Sequence, residues 1–286
     1  MTPDIRSEAD STNGMDMELQ FGARSDVGCV RENNEDSFRV TPEMNLFVLS
    51  DGMGGLASGE IASRLAVDGV VRHCREAQVN AALPLVGKPI AGISEASNRL
   101  ASAIRVANQA VHGAAQEKGD EGRMGATLAA IRIEAERMSV AHVGDSRVYR
   151  LRGGAFEQLT LDHSFVAEQM RQGRMTAEEA GNSALQSVLI RAIGIDAEVD
   201  VEASDELLME GDTLLLCSDG LTRELSDEQI AAVLGENRDA QKTADSLVDL
   251  AKQAGGGDNV TVIVVRCLPK PVGALARIGR WFRHSA

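Results

Sequence analysis

The sequence predicts an α+β sandwich, and three features of it do so. Apolar runs of strand length recur along the chain, many of them rich in Val and Ile. Two long helical stretches follow one another with no strand between them. Short polar or Gly-rich connectors join neighbouring apolar runs, as antiparallel hairpins require. Consecutive helices argue against a repeating βαβ arrangement, so separated groups of strands and helices are the better fit.

Taken in order, residues 1–16 are polar, non-periodic and rich in Asp, Ser and Thr, and are expected to be a disordered leader. The folded domain is expected over 17–268. Strands are predicted at 46–49, 127–133, 138–143, 148–151, 213–217 and 260–265, with hairpin connectors at 134–137 and 152–154. Helices are predicted over 59–77, with Ile61, Leu65 and Val70 near one face, and over 90–116, with Ile93, Leu100, Ile104 and Val111. The segment 162–196 interrupts the strand series with helix-like pieces, one opened by Thr176-x-x-Glu179 as a capping box. It reads as an insertion at the rim of a sheet, a flap with Gly173 and Gly181 as hinges. Residues 269–286 form a separate basic tail. Its Leu275, Ile278, Trp281 and Phe282 share one side of a helical wheel, opposite Arg277, Arg280, Arg283 and His284, so 270–286 is expected to dock a membrane surface or a partner protein.

Composition narrows the function classes. The chain has 286 residues, 43% hydrophobic and 25% charged, as in an ordinary globular protein. Aromatics make up 3% and the net charge is −14, which argues against stacking on bases and against binding nucleic acid. No apolar run approaches the roughly 18 residues of a membrane span, and the acid-rich start does not read as a signal peptide. A cytoplasmic monomer is expected, with the tail as the means of reaching the inner membrane face. Cys29, Cys74, Cys217 and Cys267 lie far apart without a C-x-x-C pair and are expected to be reduced packing residues.

The most informative pattern is where the acids fall. Asp51, Asp145 and Asp219 each end an apolar strand, Asp258 stands just before another, and Glu35 and Asp36 stand just before Ser37-Phe-Arg-Val40. Gly or Asn beside several of them allows a tight turn. If those strand ends converge, the acids share one cleft, where repulsion and desolvation oppose ionisation unless cations are bound. With no His or Cys beside them, hard oxygen donors favour Mg²⁺ or Mn²⁺ over Zn²⁺. Gly52-x-Gly54-x-x-Ala57 superficially matches a dinucleotide fingerprint, but a second helix follows where a parallel strand is needed.

Six motifs occur together and in order: Gly28-Cys-Val-Arg-Glu-Asn-Asn-Glu-Asp-Ser37; Asp51-Gly-Met-Gly-Gly55 with Gly59-Glu60; Met124-Gly-Ala-Thr-Leu128; Ala141-His-Val-Gly-Asp-Ser-Arg-Val-Tyr-Arg150; Cys217-Ser-Asp-Gly-Leu-Thr222; and Gly256-Gly-Asp-Asn-Val260. This set resembles the bacterial branch of the protein phosphatase 2C family, the metal-dependent Ser/Thr phosphatases, over residues 20–267. The resemblance implies a four-layer αββα sandwich with two tightly bound Mn²⁺ or Mg²⁺ ions and a weaker third. It implies Asp51 as the bridging carboxylate, the Gly52 carbonyl as a ligand, and Asp219 and Asp258 with Glu35 or Asp36 at the second ion. Asp145 would hold the third ion with Asp219, and Arg31 would bind phosphate. Arg31, Asp51 and Asp219 are thus the candidate catalytic residues.

The implied reaction is hydrolysis of phosphoserine and phosphothreonine by a hydroxide bridging the metals, on phosphorylated proteins and in opposition to a bacterial Ser/Thr kinase. Met53 stands where animal members often carry His, which leaves the proton donor to the leaving oxygen unassigned. A metal-bound water or His163 are its candidates, although a lone loop His is more often a polar surface residue. Ala126 replaces the Thr or Ser usual before Thr127, a change expected to perturb packing. The rival readings are a catalytically silent module that binds phosphoproteins, and a phosphatase of a small phosphorylated metabolite.

Overall fold

A computed structural model of the chain describes residues 17–54, 58–119, 124–236 and 239–270. In chain order its strands are β1 (Met17–Asp26), β2 (Asp36–Thr41), β3 (Leu46–Met53), β4 (Gly125–Ala126), β5 (Leu128–Glu134), β6 (Arg137–Val143), β7 (Arg147–Arg152), β8 (Ala155–Gln158), β9 (Glu202–Leu207), β10 (Thr213–Cys217) and β11 (Val260–Pro269). The helices are α1 (Ser58–Val79), α2 (Glu95–Lys118), α3 (Phe165–Arg171), α4 (Ala177–Gly181), α5 (Asp219–Thr222), α6 (Asp227–Glu236) and α7 (Ala240–Ala254). The strands form two antiparallel sheets, ordered β1-β11-β10-β7-β8 and β2-β3-β5-β6-β9, with β4 paired to β3.

The central strands are apolar throughout because both of their faces are covered. In β3, Phe47 and Leu49 face the core between the sheets while Leu46 and Val48 face α1 and α2. In β10, Leu214 and Leu216 enter that inter-sheet core, and Leu215 and Cys217 pack under α6 and α7. Three apolar cores separating helices, sheet, sheet and helices make the four-layer αββα sandwich that the motifs implied. Helices α1 and α2 cross closely at Gly69, where an added Cβ would stand 3.0 Å from the Ala107 Cα.

The hairpins fall where the connectors predicted, β5 to β6 through Ala135 at φ +55° and β7 to β8 through Gly153 and Gly154. Thr176 and Glu179 close the expected capping box. Helix α2 begins at Glu95, later than predicted: Ser94 caps it, and Ile90 donates its backbone N–H to the Asn98 side chain at 2.7 Å instead of to a helical carbonyl. The buried face of α1 is Ala62, Ala66, Val67, Val70 and Cys74, with Ile61 and Leu65 at its margin. Helices α5, α6 and α7 and strands β1, β4, β8 and β9 escaped sequence reading. The buried stripe of α7 mixes Ala240, Ala244 and Ala251 with Thr243, Leu247 and Val248, and β9 and β1 are edge strands of mixed polarity.

Cys74, Cys217 and Cys267 are buried free thiols, whereas Cys29 is exposed. No helix among the described residues is long and apolar enough to cross a membrane. The leader expected over 1–16 and, Lys270 apart, the basic tail expected over 270–286 lie outside the described residues.

Candidate metal centre

Strands from both sheets deliver acids to one end of the sandwich. Asp36 opens β2 directly opposite Asp51 of β3, and Asp145 follows β6 in the same sheet. From the other sheet come Asp219, just past β10, and Asp258, just before β11. Glu35, Asp51, Gly52, Asp145, Asp219 and Asp258 all line a cleft of about 390 Å³, and Asp36, paired with Asp51 in the ladder, is buried.

Backbone and neutral polar groups set these positions. Asp51 exchanges hydrogen bonds with Thr127, its N–H donating to Oγ1 at 3.0 Å and its carbonyl accepting from the Thr127 N–H at 2.8 Å. Gly52 donates to the Glu35 carbonyl at 3.1 Å, and an added Cβ would stand 2.1 Å from the Gly59 carbonyl oxygen. Only glycine permits that close approach. The Asn259 side chain fastens the Arg31 loop to β11: its Oδ1 accepts from the Glu35 N–H at 2.8 Å, and its Nδ2 donates to the carbonyls of Val27 and Asn33. Ser218 Oγ donates to Asp36 Oδ2 at 2.8 Å and accepts from the Thr261 N–H at 3.0 Å. Thr127, Ser218 and Asn259 were missed as positioning residues, although each stands inside one of the six motifs.

The electrostatics are those of like charges crowded together. Burial first, then the charges of Asp36, Asp219, Asp145 and Asp258, raise the Asp51 carboxyl well above the usual carboxylate range. Burial likewise leads in pushing Asp36 and Asp145 up to about 7, with Asp219 the leading charge in both cases. Glu35 is raised, chiefly by burial. Asp219 is raised by burial although Arg223 opposes the shift, and a hydrogen bond joins it to Asp51. Asp36 Oδ1 and Asp219 Oδ1 are buried with no hydrogen-bond partner. Buried oxygens left unpaired are costly in a folded protein, and a divalent cation is the partner that hard carboxylate oxygens take. The donor set therefore fits Mn²⁺ or Mg²⁺.

Two arginines stand at the mouth. Arg31, 56% exposed, places Nε 2.9 Å from Asp258 Oδ1 and donates from Nη2 to Oδ2 at 2.9 Å. Arg223, not anticipated from the sequence, pairs with Asp219 and reaches Asp258 Oδ2 from Nη1 at 3.2 Å. Met53 lines the cleft and carries no proton to give. His163 is not the polar surface residue expected: it is 1% exposed and both ring nitrogens are engaged within the protein. It therefore has no free donor for a leaving oxygen. Ala126 is buried, and its backbone exchanges hydrogen bonds with Ile193, tying the far end of the 162–196 segment to the sheet.

The sequence pattern of the family described as protein phosphatase 2C matches residues 30–253. The chain is 39% identical over 246 residues to the serine/threonine protein phosphatase PstP of Mycobacterium tuberculosis, covering 86% of this chain and 44% of that protein, so it spans a little under half the length of this relative. It is 34% identical over 245 residues to the serine/threonine phosphatase Stp of Listeria innocua, covering 85% of this chain and 93% of the other. Among solved structures, the catalytic domain of PstP in complex with two manganese ions superposes with a TM-score of 0.75 at 36% identity, covering 88% of this chain and 99% of that one. With its four layers, its convergent strand-end acids and these relatives, the chain belongs to the protein phosphatase 2C family.

Proposed function

We propose that the chain is a Mn²⁺- or Mg²⁺-dependent phosphatase acting on phosphoserine and phosphothreonine in proteins phosphorylated by a bacterial Ser/Thr kinase. The observation that carries this reading is the pair of buried, unpartnered carboxylate oxygens, Asp36 Oδ1 and Asp219 Oδ1, within a cluster of like charges. Asp51, the Gly52 carbonyl, Asp219 and Asp258, with Glu35 or Asp36, would hold two ions, and Asp145 with Asp219 a third. When bound, the ions supply neutralising charge, Lewis acidity toward phosphoryl oxygens and a water of lowered pKa.

The chain's own groups do the rest. The Arg31 fork already grips a two-oxygen edge, that of Asp258, and a phosphoryl dianion presents the same edge to it. Thr127 fixes the Asp51 backbone and Ser218 fixes Asp36, so the carboxylates are held before substrate arrives. Ser187 and Leu189 of the 162–196 segment line the cleft, and Leu185, Val188 and Ile190 beside them are exposed, an apolar surface suited to a polypeptide. We read this segment as a flap that selects protein substrates.

Assay of a phosphothreonine peptide and p-nitrophenyl phosphate, with Mn²⁺ and with EDTA, tests the proposal. Turnover of both that EDTA abolishes is expected. Peptide binding without turnover would favour the silent module. Hydrolysis confined to small phosphoesters would favour the metabolite reading, and turnover that survives EDTA would refute the metal centre.

A further inference from the structure

Three buried or half-buried groups beside the metal end, His142, His163 and Glu202, are unused by the proposed chemistry, and their potential donor atoms lie within 4.8 Å of one another. The hydrogen bonds around His163 decide what they do. The backbone N–H of Gly144 donates to His163 Nδ1 at 3.1 Å, and a backbone amide can only donate. Nδ1 therefore carries the lone pair and Nε2 the proton, which His163 donates to Glu202 Oε2 at 3.2 Å. Arg191 Nη1 stands 3.1 Å from the same Nε2, but a guanidinium too can only donate, so with Nε2 protonated this approach is a contact and not a hydrogen bond. A metal at that nitrogen would have to strip its proton and displace a guanidinium, so the cluster is not a second metal site.

Its geometry serves Asp145 instead. A hydrogen bond from its own backbone N–H reaches the Asp145 carboxylate, so the turn around it sets where the carboxylate sits. That turn is gripped from two sides. On one, Gly144 adopts φ +103°, and an added Cβ would stand 2.7 Å from the Thr127 side chain, while Ser146 Oγ lies 2.6 Å from Thr127 Oγ1. On the other, His163 holds Gly144 twice: the ring accepts from its N–H, and the His163 N–H donates to its carbonyl at 3.0 Å. The His163 ring is in turn stacked on His142, with centroids 4.7 Å apart, and His142 Nε2 donates to the Leu161 carbonyl at 2.8 Å. The His163 carbonyl accepts from the Ile190 N–H at 2.9 Å, where the 162–196 segment returns.

We propose that His163 is a positioning residue for Asp145, its tautomer set by Glu202, and that it couples the return of the 162–196 segment to the weakest metal site. This rests on the reading of Asp145 as a ligand of a third ion. Because the ring works through Nδ1, Asn can replace it, with Oδ1 accepting from Gly144, whereas Gln presents its amide at the position of Nε2 and Ala presents nothing. Glu202→Gln keeps an acceptor for the Nε2 proton.

Calorimetric Mn²⁺ titration of wild type, His163→Ala, His163→Gln, His163→Asn and Glu202→Gln reads this directly. The weakest site should lose about 10- to 100-fold in affinity in His163→Ala and His163→Gln, the range seen when an outer-shell partner is removed. It should stay near wild type in His163→Asn and Glu202→Gln, with the two tighter sites retained throughout. Long-range ¹⁵N–¹H spectra of the wild-type imidazoles should show His163 protonated at Nε2, a readout that needs no variant to fold. Equal weakening in His163→Asn and His163→Gln would overturn the proposal. So would an Nδ1–H tautomer, or variants that melt earlier yet bind Mn²⁺ as wild type does. A wild type with two Mn²⁺ sites and full phosphopeptide turnover would overturn this proposal and the Asp145 assignment while leaving the phosphatase reading intact.

Discussion

Two clusters of ionisable side chains lie at the same end of the sandwich and are built on opposite terms. Around Arg147 every charge has its complement: Nε and Nη2 donate to both oxygens of Asp162 at 2.7 to 3.1 Å, and Nη1 donates to the Tyr149 hydroxyl, which reaches Asp227. Around Asp51 the charges repel, and two oxygens have no partner. The first cluster is complete as folded and contributes stability. The second withholds stability until something outside the chain completes it, and that incompleteness is what marks it as functional.

Removing a charge should therefore have opposite effects in the two clusters. The largest effect is expected from Asp51→Asn, which should abolish Mn²⁺-dependent turnover while raising the melting temperature of the metal-free protein, since one repelled buried charge is gone. Melting curves in EDTA together with phosphopeptide assays check both halves. A metal-free variant that melts earlier than wild type would place Asp51 with the self-complementary kind of cluster.

Arg31→Ala should raise KM and lower kcat/KM about 10- to 150-fold, the equivalent of a charge-assisted hydrogen bond of about 1.5–3 kcal/mol. Loss of kcat alone, with KM unchanged, would mean that Arg31 acts only in the transition state. Asp162→Ala strands a partly buried guanidinium and should cost about 2–3 kcal/mol, lowering the melting temperature roughly 5–10 °C with or without metal. An unchanged melting temperature would show that the Arg147 network contributes nothing.

A further effect is expected on pH dependence. Asp36 and Asp145 titrate near 7 in the folded metal-free protein and near 3.8 when unfolded, so between those values the folded state binds more protons. Their contribution is full below about 4 and is lost as pH rises through about 7. Metal-free protein should therefore melt higher at pH 5.5 than at pH 8, and the stabilisation by Mn²⁺ should be larger at pH 8. The reverse order would contradict the crowding of these acids.

Much of this contrast was legible in the sequence. Acids placed at the ends of apolar runs showed where Asp51, Asp145, Asp219 and Asp258 would meet, because strand ends in a two-sheet core have one rim to share. What escaped was whatever depends on packing between distant segments. His163 reads as a lone polar residue until β6 and the 162–196 segment come together around it, and Arg223 has no distinguishing local pattern. Helix α7 is a different case: residues 240–254 bury Ala240, Ala244, Leu247, Val248 and Ala251 at helical spacing, a pattern present in the sequence and overlooked there.

The pairing of β1 with β11 carries a consequence for biosynthesis. Met17 lies opposite Pro269 in the ladder, so the first strand of the described fold must wait for its last. Asp258 and Asn259 arrive with that closing strand, and Asn259 is what fastens the Arg31 loop. Such long-range closure is slow compared with hairpin formation. A ribosome-bound chain thus has an open edge and an unfinished acid cluster until synthesis passes residue 260, and the cluster is complete only with closure of that sheet.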